Sequence, residues 1–225
     1  MPRIQRLIPD DSALHVACRG NNKQVILCSD NDKLKYYTLL HDLKGENGID
    51  IFNYCLMDNH VHLVLFPKPG NTLSKFMKQV NLSYALYFRK QYDYVGHLWQ
   101  DRFKSCIVGN DSYLLQCGKY VELNPVRAHM VECPGDYRFS SYAFYAYGKA
   151  DSFVTPNPAY IDLGDSQLSK QRTYIDFVLD FNMINSRVLA KQAYVGPISF
   201  GHKLQDIYGI SNRSGKRGRP PKLNK

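Results

Sequence analysis

No run in this chain approaches the ~20 consecutive apolar residues that a membrane-spanning helix needs. The opening Met1-Pro2-Arg3-Ile4-Gln5-Arg6 lacks the apolar core of a secretory signal. Cys18, Cys28, Cys55, Cys106, Cys117 and Cys133 are scattered, with no C-x-x-C pair, so no thiolate metal framework is present. Most of them read as small core residues, which suits a reducing cytoplasm. Acid is missing from the tail as well: Arg213, Lys216, Arg217, Arg219, Lys222 and Lys225 stand there with no Asp or Glu among them.

What is present points to a polyanion. The net charge is +9 with a pI near 9.2. Lys and Arg in such excess favour salt-sensitive phosphate contacts; a merely basic soluble protein is the plainer reading. Basic residues interleave with aromatics from Tyr84 to Trp99, a pattern suited to tracking a single strand and stacking its bases. With 225 residues and 44% hydrophobic content, the chain can hold one substantial domain with extensions.

The most informative motif is His60-Val61-His62, inside Tyr54-Cys55-Leu56-Met57-Asp58-Asn59-His60-Val61-His62-Leu63-Val64-Leu65-Phe66. Val61 to Phe66 reads as a buried strand ending at Pro67. Residues two apart on a strand face the same way, so both imidazoles point to one side. There they can share a divalent ion, or they can cap a turn and bond to backbone.

A second cluster, Gly118-Lys119-Tyr120-Val121-Glu122-Leu123-Asn124-Pro125-Val126-Arg127-Ala128, follows a segment with helical spacing and good N-cap residues at Asn110 and Asp111. Leu114, Cys117 and Val121 form its apolar stripe. Pro125 disfavours helical geometry at Asn124, so the helix is expected to stop there. Tyr120 and Asn124, four apart, share one helical face, where the Asn serves as a ligand or as a cap.

A coarse pass gives a strand at 12–19, a helix at 30–44 capped by Ser29 or Asp30 and ended by Gly45, and strands at 49–57 and 60–66. A long helix at 71–92 buries Leu73, Phe76, Met77, Val80, Tyr84 and Tyr87. A strand at 102–108 and the Tyr120 helix follow. The class is α+β: a ferredoxin-like βαββαβ antiparallel sheet with helices on one face. The expected division is 1–150 for this domain, 151–212 for a small helical extension behind a Thr155-Pro156-Asn157-Pro158 linker, and 213–225 for a basic tail disordered when free. Arg217-Gly218-Arg219-Pro220 suits insertion of two arginines into a narrow minor groove, or is a nonspecific basic tail.

These segments resemble the REP-associated tyrosine transposases, in the single-tyrosine branch of the HUH (His–hydrophobic–His) nucleases. The likeness covers roughly residues 10 to 148, with five motifs in order. They are His15-Val16-Ala17-Cys18-Arg19-Gly20-Asn21-Asn22, Met57-Asp58-Asn59-His60-Val61-His62-Leu63, Leu98-Trp99-Gln100-Asp101-Arg102-Phe103-Lys104-Ser105, Tyr120 to Ala128, and Asp136-Tyr137-Arg138-Phe139-Ser140-Ser141-Tyr142. It implies a bacterial, DNA-associated cytoplasmic enzyme that cuts and rejoins single-stranded DNA beside hairpin palindromes. Tyr120 is then the nucleophile, with His60, His62 and Asn124 holding Mg²⁺ or Mn²⁺ and a 5′-phosphotyrosine as intermediate. Asn124 stands where some relatives carry Gln, Lys119 where Arg is common and His129 where Gly is common. Candidate DNA contacts are Arg19, Asn21, Asn22, Trp99, Gln100, Arg102, Lys104, Arg127, Arg217 and Arg219, with core packing the other reading of Trp99. A monomer is expected, a homodimer being the alternative.

Rival readings fail on residue type. A histidine-triad hydrolase needs a third histidine, and a metallo-β-lactamase site an Asp, where Val64 stands. A hairpin-binding protein that no longer cuts is the remaining alternative.

Overall fold

The computed structural model describes residues 9, 12–70, 73–109, 111–180, 184, 189 and 192–212. The tail residues Arg217 and Arg219, and the expected helix starts at Asn71 and Asn110, lie outside them. Strands β1 (Ala13–Arg19), β2 (Ile49–Leu56), β3 (His60–Pro67) and β4 (Lys104–Val108) build an antiparallel sheet. A short β5 (Tyr194–Val195) pairs parallel to β4, so the order is β2-β3-β1-β4-β5. The first four strands, with helices α1 (Asp30–Glu46) and α2 (Leu73–Tyr92), make the βαββαβ unit that the sequence pattern requires.

Local chemistry explains the boundaries. Ser29 and Asp32 form a reciprocal capping box, with the Ser29 hydroxyl accepting from the Asp32 N–H and the Asp32 carboxylate accepting from the Ser29 N–H. The helix runs through Gly45, the expected stop, and the chain reverses instead at Gly48, whose φ of +60° suits a residue without a Cβ. Helix α2 buries Leu73, Phe76, Met77, Val80, Tyr84 and Phe88. Phe88 takes the inward place expected of Tyr87, because spacing of four continues from Tyr84. Tyr87 instead sends its hydroxyl to Asp32.

Side-chain alternation divides the sheet into two faces. Cys18, Val61, Leu63 and Tyr54 face α1 and α2, where the Asn81 amide reaches the Cys18 sulfur and Tyr37 packs on Tyr54. His15, Ala17, His62, Asn53, Cys55 and Cys106 share the opposite face. That face receives α3 (Asp111–Glu122). Gly118 permits the close approach, since a Cβ there would lie 2.8 Å from the Asn53 amide.

Helix α3 ends at Glu122, two residues before the expected stop. Leu123 keeps helical φ/ψ, and a new turn, α4 (Asn124–Arg127), begins at Asn124. Pro125 sits in that first turn, where a missing N–H has no intrahelical partner to lose.

The segment after residue 150 contributes more than helices. Beyond α5 (Tyr142–Tyr147), helices α6 (Pro158–Ile161), α7 (Gln167–Leu179) and α8 (Ile198–Tyr208) are joined by β5, which extends the sheet. A two-residue strand leaves no periodicity to read, which is why only helices were expected there. The linker expected at Thr155 is bonded to the core, with the Thr155 N–H donating to the Ile51 carbonyl at 2.8 Å. The sequence spacing predicts a helix over 168–181, and its last residue, Phe181, lies outside the described residues.

Candidate active site

Strands β1 and β3 set the two histidines beside each other, because Arg19 pairs with His60 and Ala17 with His62. The His60 and His62 rings stand edge to face with centroids 4.8 Å apart. From the opposite layer α3 brings in Tyr120, whose ring lies edge-on to His62 at 5.5 Å and to His15 at 5.7 Å. Tyr120 is 7% exposed, and the Arg127 guanidinium sits 5.1 Å from its ring centre. Two strands and one helix thus place a phenol, two imidazoles and a guanidinium together.

Burial sets the charge of these groups. It lowers His60 to about 4, helped by nearby Arg19 and opposed by Asp58. It also holds His62 well below the ordinary range, with His15, His60, Arg127 and Arg19 adding in that order. Both imidazoles are therefore neutral near pH 7, the form that donates a lone pair to a cation. Burial raises the Tyr120 phenol, while Arg127 pulls it back through charge and a hydrogen bond.

Two residues outside the expected set orient the pair. Asn59 Oδ1 lies 2.6 Å from His60 Nδ1, and its Nδ2 donates to the Lys23 carbonyl. An amide oxygen only accepts, so His60 carries its proton on Nδ1 and leaves Nε2 as a lone pair. His62 Nδ1 lies 2.9 Å from His15 Nε2, and the two rings stack at 5.1 Å. A proton on His62 Nδ1, accepted by His15, leaves His62 Nε2 open in the same way. Neither orienting residue was singled out from sequence. Each lay inside a motif, but the signal that finds His15 is strand pairing, since it stands 47 residues from its partner.

Asn124 is 8% exposed, and its Nδ2 donates to the Tyr120 and Val121 carbonyls. That is the capping role left open by the sequence, and it keeps the carbonyl oxygen Oδ1 as the group available to a ligand. Two imidazole nitrogens and one amide oxygen suit Mn²⁺ or Mg²⁺ better than a soft metal. Among the described residues no group of three or more His, Cys, Asp or Glu could hold a metal.

The expected DNA contacts fall into two groups. Arg19, Asn22, Gln100, Arg102, Lys104 and Arg127 are exposed and Asn21 is half-buried. Backbone bonds tie the first loop to its neighbours: Gly20 N–H to Asn59, Asn21 N–H to Leu98, and Gln100 N–H to Arg19. Asn22 and Lys23 hold positive φ of 48° and 60°, a conformation non-glycine residues rarely adopt. Trp99 belongs elsewhere. Its half-buried indole packs 6.0 Å from both Tyr36 and Tyr84, and its N–H donates to the Asn81 carbonyl.

A ferredoxin-like antiparallel sheet with a tyrosine-bearing helix laid across its histidine strand defines the class as the tyrosine-transposase fold. Residues 10–124 match the family model described as "Transposase IS200 like", and the chain belongs to that family. One solved structure, a REP-associated tyrosine transposase bound to a REP hairpin, is 17% identical with a TM-score of 0.55, covering 74% of this chain and 95% of the other. A Deinococcus radiodurans R1 structure described as a transposase is 19% identical with a TM-score of 0.39, over 54% of this chain and 96% of that one. The tRNA(His) guanylyltransferase of Saccharomyces cerevisiae is 13% identical with a TM-score of 0.39, over 84% and 87%. At those scores the last two carry no weight. Among curated proteins none matches the sequence. No described helix is long and apolar enough to cross a membrane.

Proposed function

We propose that this transposase cleaves and rejoins single-stranded DNA beside hairpin palindromes, with Tyr120 as the nucleophile. The observation that carries this reading is the Tyr120 ring packed edge-on against His62 on the face that also holds His60. Membership of a transposase family supports DNA rearrangement as the task, and a protein of the same fold is bound to a REP hairpin.

His60 Nε2, His62 Nε2 and Asn124 Oδ1 are the groups proposed to hold Mg²⁺ or Mn²⁺. When bound, the ion draws charge from a non-bridging phosphate oxygen and favours the ionised phenol. Neutral ligands leave its positive charge uncompensated, which suits an anionic phosphodiester. The Tyr120 oxygen attacks phosphorus, and the bond to the 3′-oxygen breaks. That oxygen takes a proton and leaves as a free 3′-OH, while the 5′ phosphate stays on the tyrosine. Attack by a 3′-OH on this phosphotyrosine reverses the exchange without ATP, since the ester bond energy is retained.

Arg127, over the phenol ring, counters the burial that raises the Tyr120 pKa and is the residue proposed to hold a phosphate. Glu122 takes no part as a base. It points into a separate buried cluster and is bonded to Asn53, Ser141 and Tyr174. Arg19, Asn21, Asn22, Gln100, Arg102 and Lys104 supply the proposed surface for the DNA beside the stem.

The test is a hairpin oligonucleotide with a single-stranded flank, incubated with Mg²⁺ and run on a denaturing gel. A covalent 5′ adduct is expected from the wild type and none from Tyr120→Phe. Hairpin binding with no adduct under any divalent ion would instead make the protein a non-cleaving hairpin binder.

A further inference from the structure

Two fully buried ionisable side chains flank Tyr120 on α3 and take no part in the chemistry above. Lys119 precedes it. Its Nζ donates to the Phe177 carbonyl at 2.6 Å and to the Asp180 carbonyl, and lies 4.7 Å from the Phe177 ring centre. These acceptors are the last carbonyls of α7 and its C-cap, where a cation complements the helix dipole. Glu122 follows two positions later. Its carboxyl accepts from Tyr174 Oη at 2.7 Å, Asn53 Nδ2 at 2.9 Å and Ser141 Oγ at 2.5 Å. Tyr174 also lies on α7, and its ring is packed against Tyr145 and Tyr160.

Burying an ammonium and a carboxyl so completely is unfavourable unless each is fully bonded. Here the two do not pair with each other. Each reaches across to α7, and Glu122 also reaches strand β2 through Asn53. Helix α3 is therefore held by side-chain bonds on both sides of its tyrosine, while the tyrosine faces the histidines of the same chain.

We propose that α7 is a clamp on the nucleophile's helix, with Lys119, Glu122 and Tyr174 as positioning residues that hold Tyr120 against the histidines of its own chain. The segment after residue 150, for which the sequence offered no task, then sets the rate of the step. The proposal rests on the nuclease reading for its effect on rate, but not for its effect on α3. A phenol displaced by about 1 Å from the line of attack loses on the order of 100-fold in rate, so small slack in α3 is enough.

Tyr174→Phe keeps the ring and removes only the hydroxyl. Lys119→Met removes the ammonium, and Lys119→Arg retains a cation able to reach the same carbonyls. We expect Tyr174→Phe and Lys119→Met to lower kcat for adduct formation roughly 10-fold to 100-fold with KM for the hairpin unchanged. Lys119→Arg should stay near wild type. Hydrogen exchange in α3 should quicken in the two weakened variants while β1 and β3 keep their protection. Should Lys119→Met fail to fold, Tyr174→Phe decides alone.

Mixing Tyr120→Phe with His62→Ala asks which chain supplies the tyrosine. No recovery of cutting is expected, and recovery would overturn the same-chain claim. Unchanged α3 exchange and unchanged kcat in Tyr174→Phe would overturn the clamp. Quickened α3 exchange in a protein whose wild type makes no adduct would uphold the clamp and sink the nuclease reading instead.

Discussion

Helix α3 carries two buried polar clusters that differ in one respect. Around Tyr120, the histidines each have one nitrogen engaged, by Asn59 or by His15, and the other nitrogen outside those bonds. Around Glu122, three donors converge on one carboxyl from Asn53, Ser141 and Tyr174. Buried polar groups are ordinarily saturated by the protein itself. A carboxyl met by three donors is held in place, whereas imidazoles with a nitrogen to spare suit the ligand proposed for them.

The sharpest way to break the comparison is to remove His62. His62→Ala should reduce cutting on the order of 1,000-fold while hairpin affinity, set by the exposed basic residues, stays within a few-fold. Adduct yield and gel-shift titration measure the two separately. Retained cutting would refute its assignment as a ligand.

A smaller effect is expected at His15. His15→Ala removes the acceptor that orients His62, so Mn²⁺ affinity followed by its paramagnetic resonance should weaken roughly 10-fold to 100-fold. His15→Asn, which again offers an acceptor, should restore part of it. Equal affinity in all three would make His15 a packing residue.

The Glu122 cluster should respond to pH instead. Burial pushes Glu122 up to about 7 from an ordinary 4.5, against the opposing bonds from Ser141, Asn53 and Tyr174. The folded state then keeps a proton that the unfolded chain has released. Its contribution is present at low pH and is lost as pH rises from about 4.5 through about 7, a change of at most roughly 3 kcal/mol. His15 and His60 act oppositely, since burial lowers both to about 4 and stability falls as pH drops below 6.5. Glu122→Gln should flatten the decline in Tm between pH 5 and 8 and leave the acid limb unchanged. An unaltered decline would mean that Glu122 does not titrate in that window.

The smallest effect is expected at Trp99. Trp99→Phe forfeits the bond to the Asn81 carbonyl, worth about 1 kcal/mol of stability, and should barely alter hairpin affinity. A tenfold loss of affinity at unchanged stability would make the indole a platform for a base.

Much of this was legible in the chain because it is encoded locally. The strand period put His60 and His62 on one face, the Ser29 cap announced α1, and spacing of four placed α2's stripe. What escaped depends on contacts distant in sequence. His15 meets His62 only through β1–β3 pairing, and Lys119 and Glu122 acquire a purpose only when α7 packs behind them. Trp99 sits among exposed basic residues in sequence yet folds between Tyr36 and Tyr84. Pro125 marked a break near Asn124 but not the fresh helical turn that follows it.

The central claim is that the phenol oxygen and a histidine-held cation meet at one DNA phosphorus. Replacing a single non-bridging oxygen of the scissile phosphate by sulfur tests it directly. In Mg²⁺, which binds sulfur poorly, formation of the Tyr120 adduct should slow sharply for one diastereomer, and Mn²⁺ should restore it. Equal rates for sulfur and oxygen in Mg²⁺, or a deficit that Mn²⁺ leaves untouched, would contradict the account.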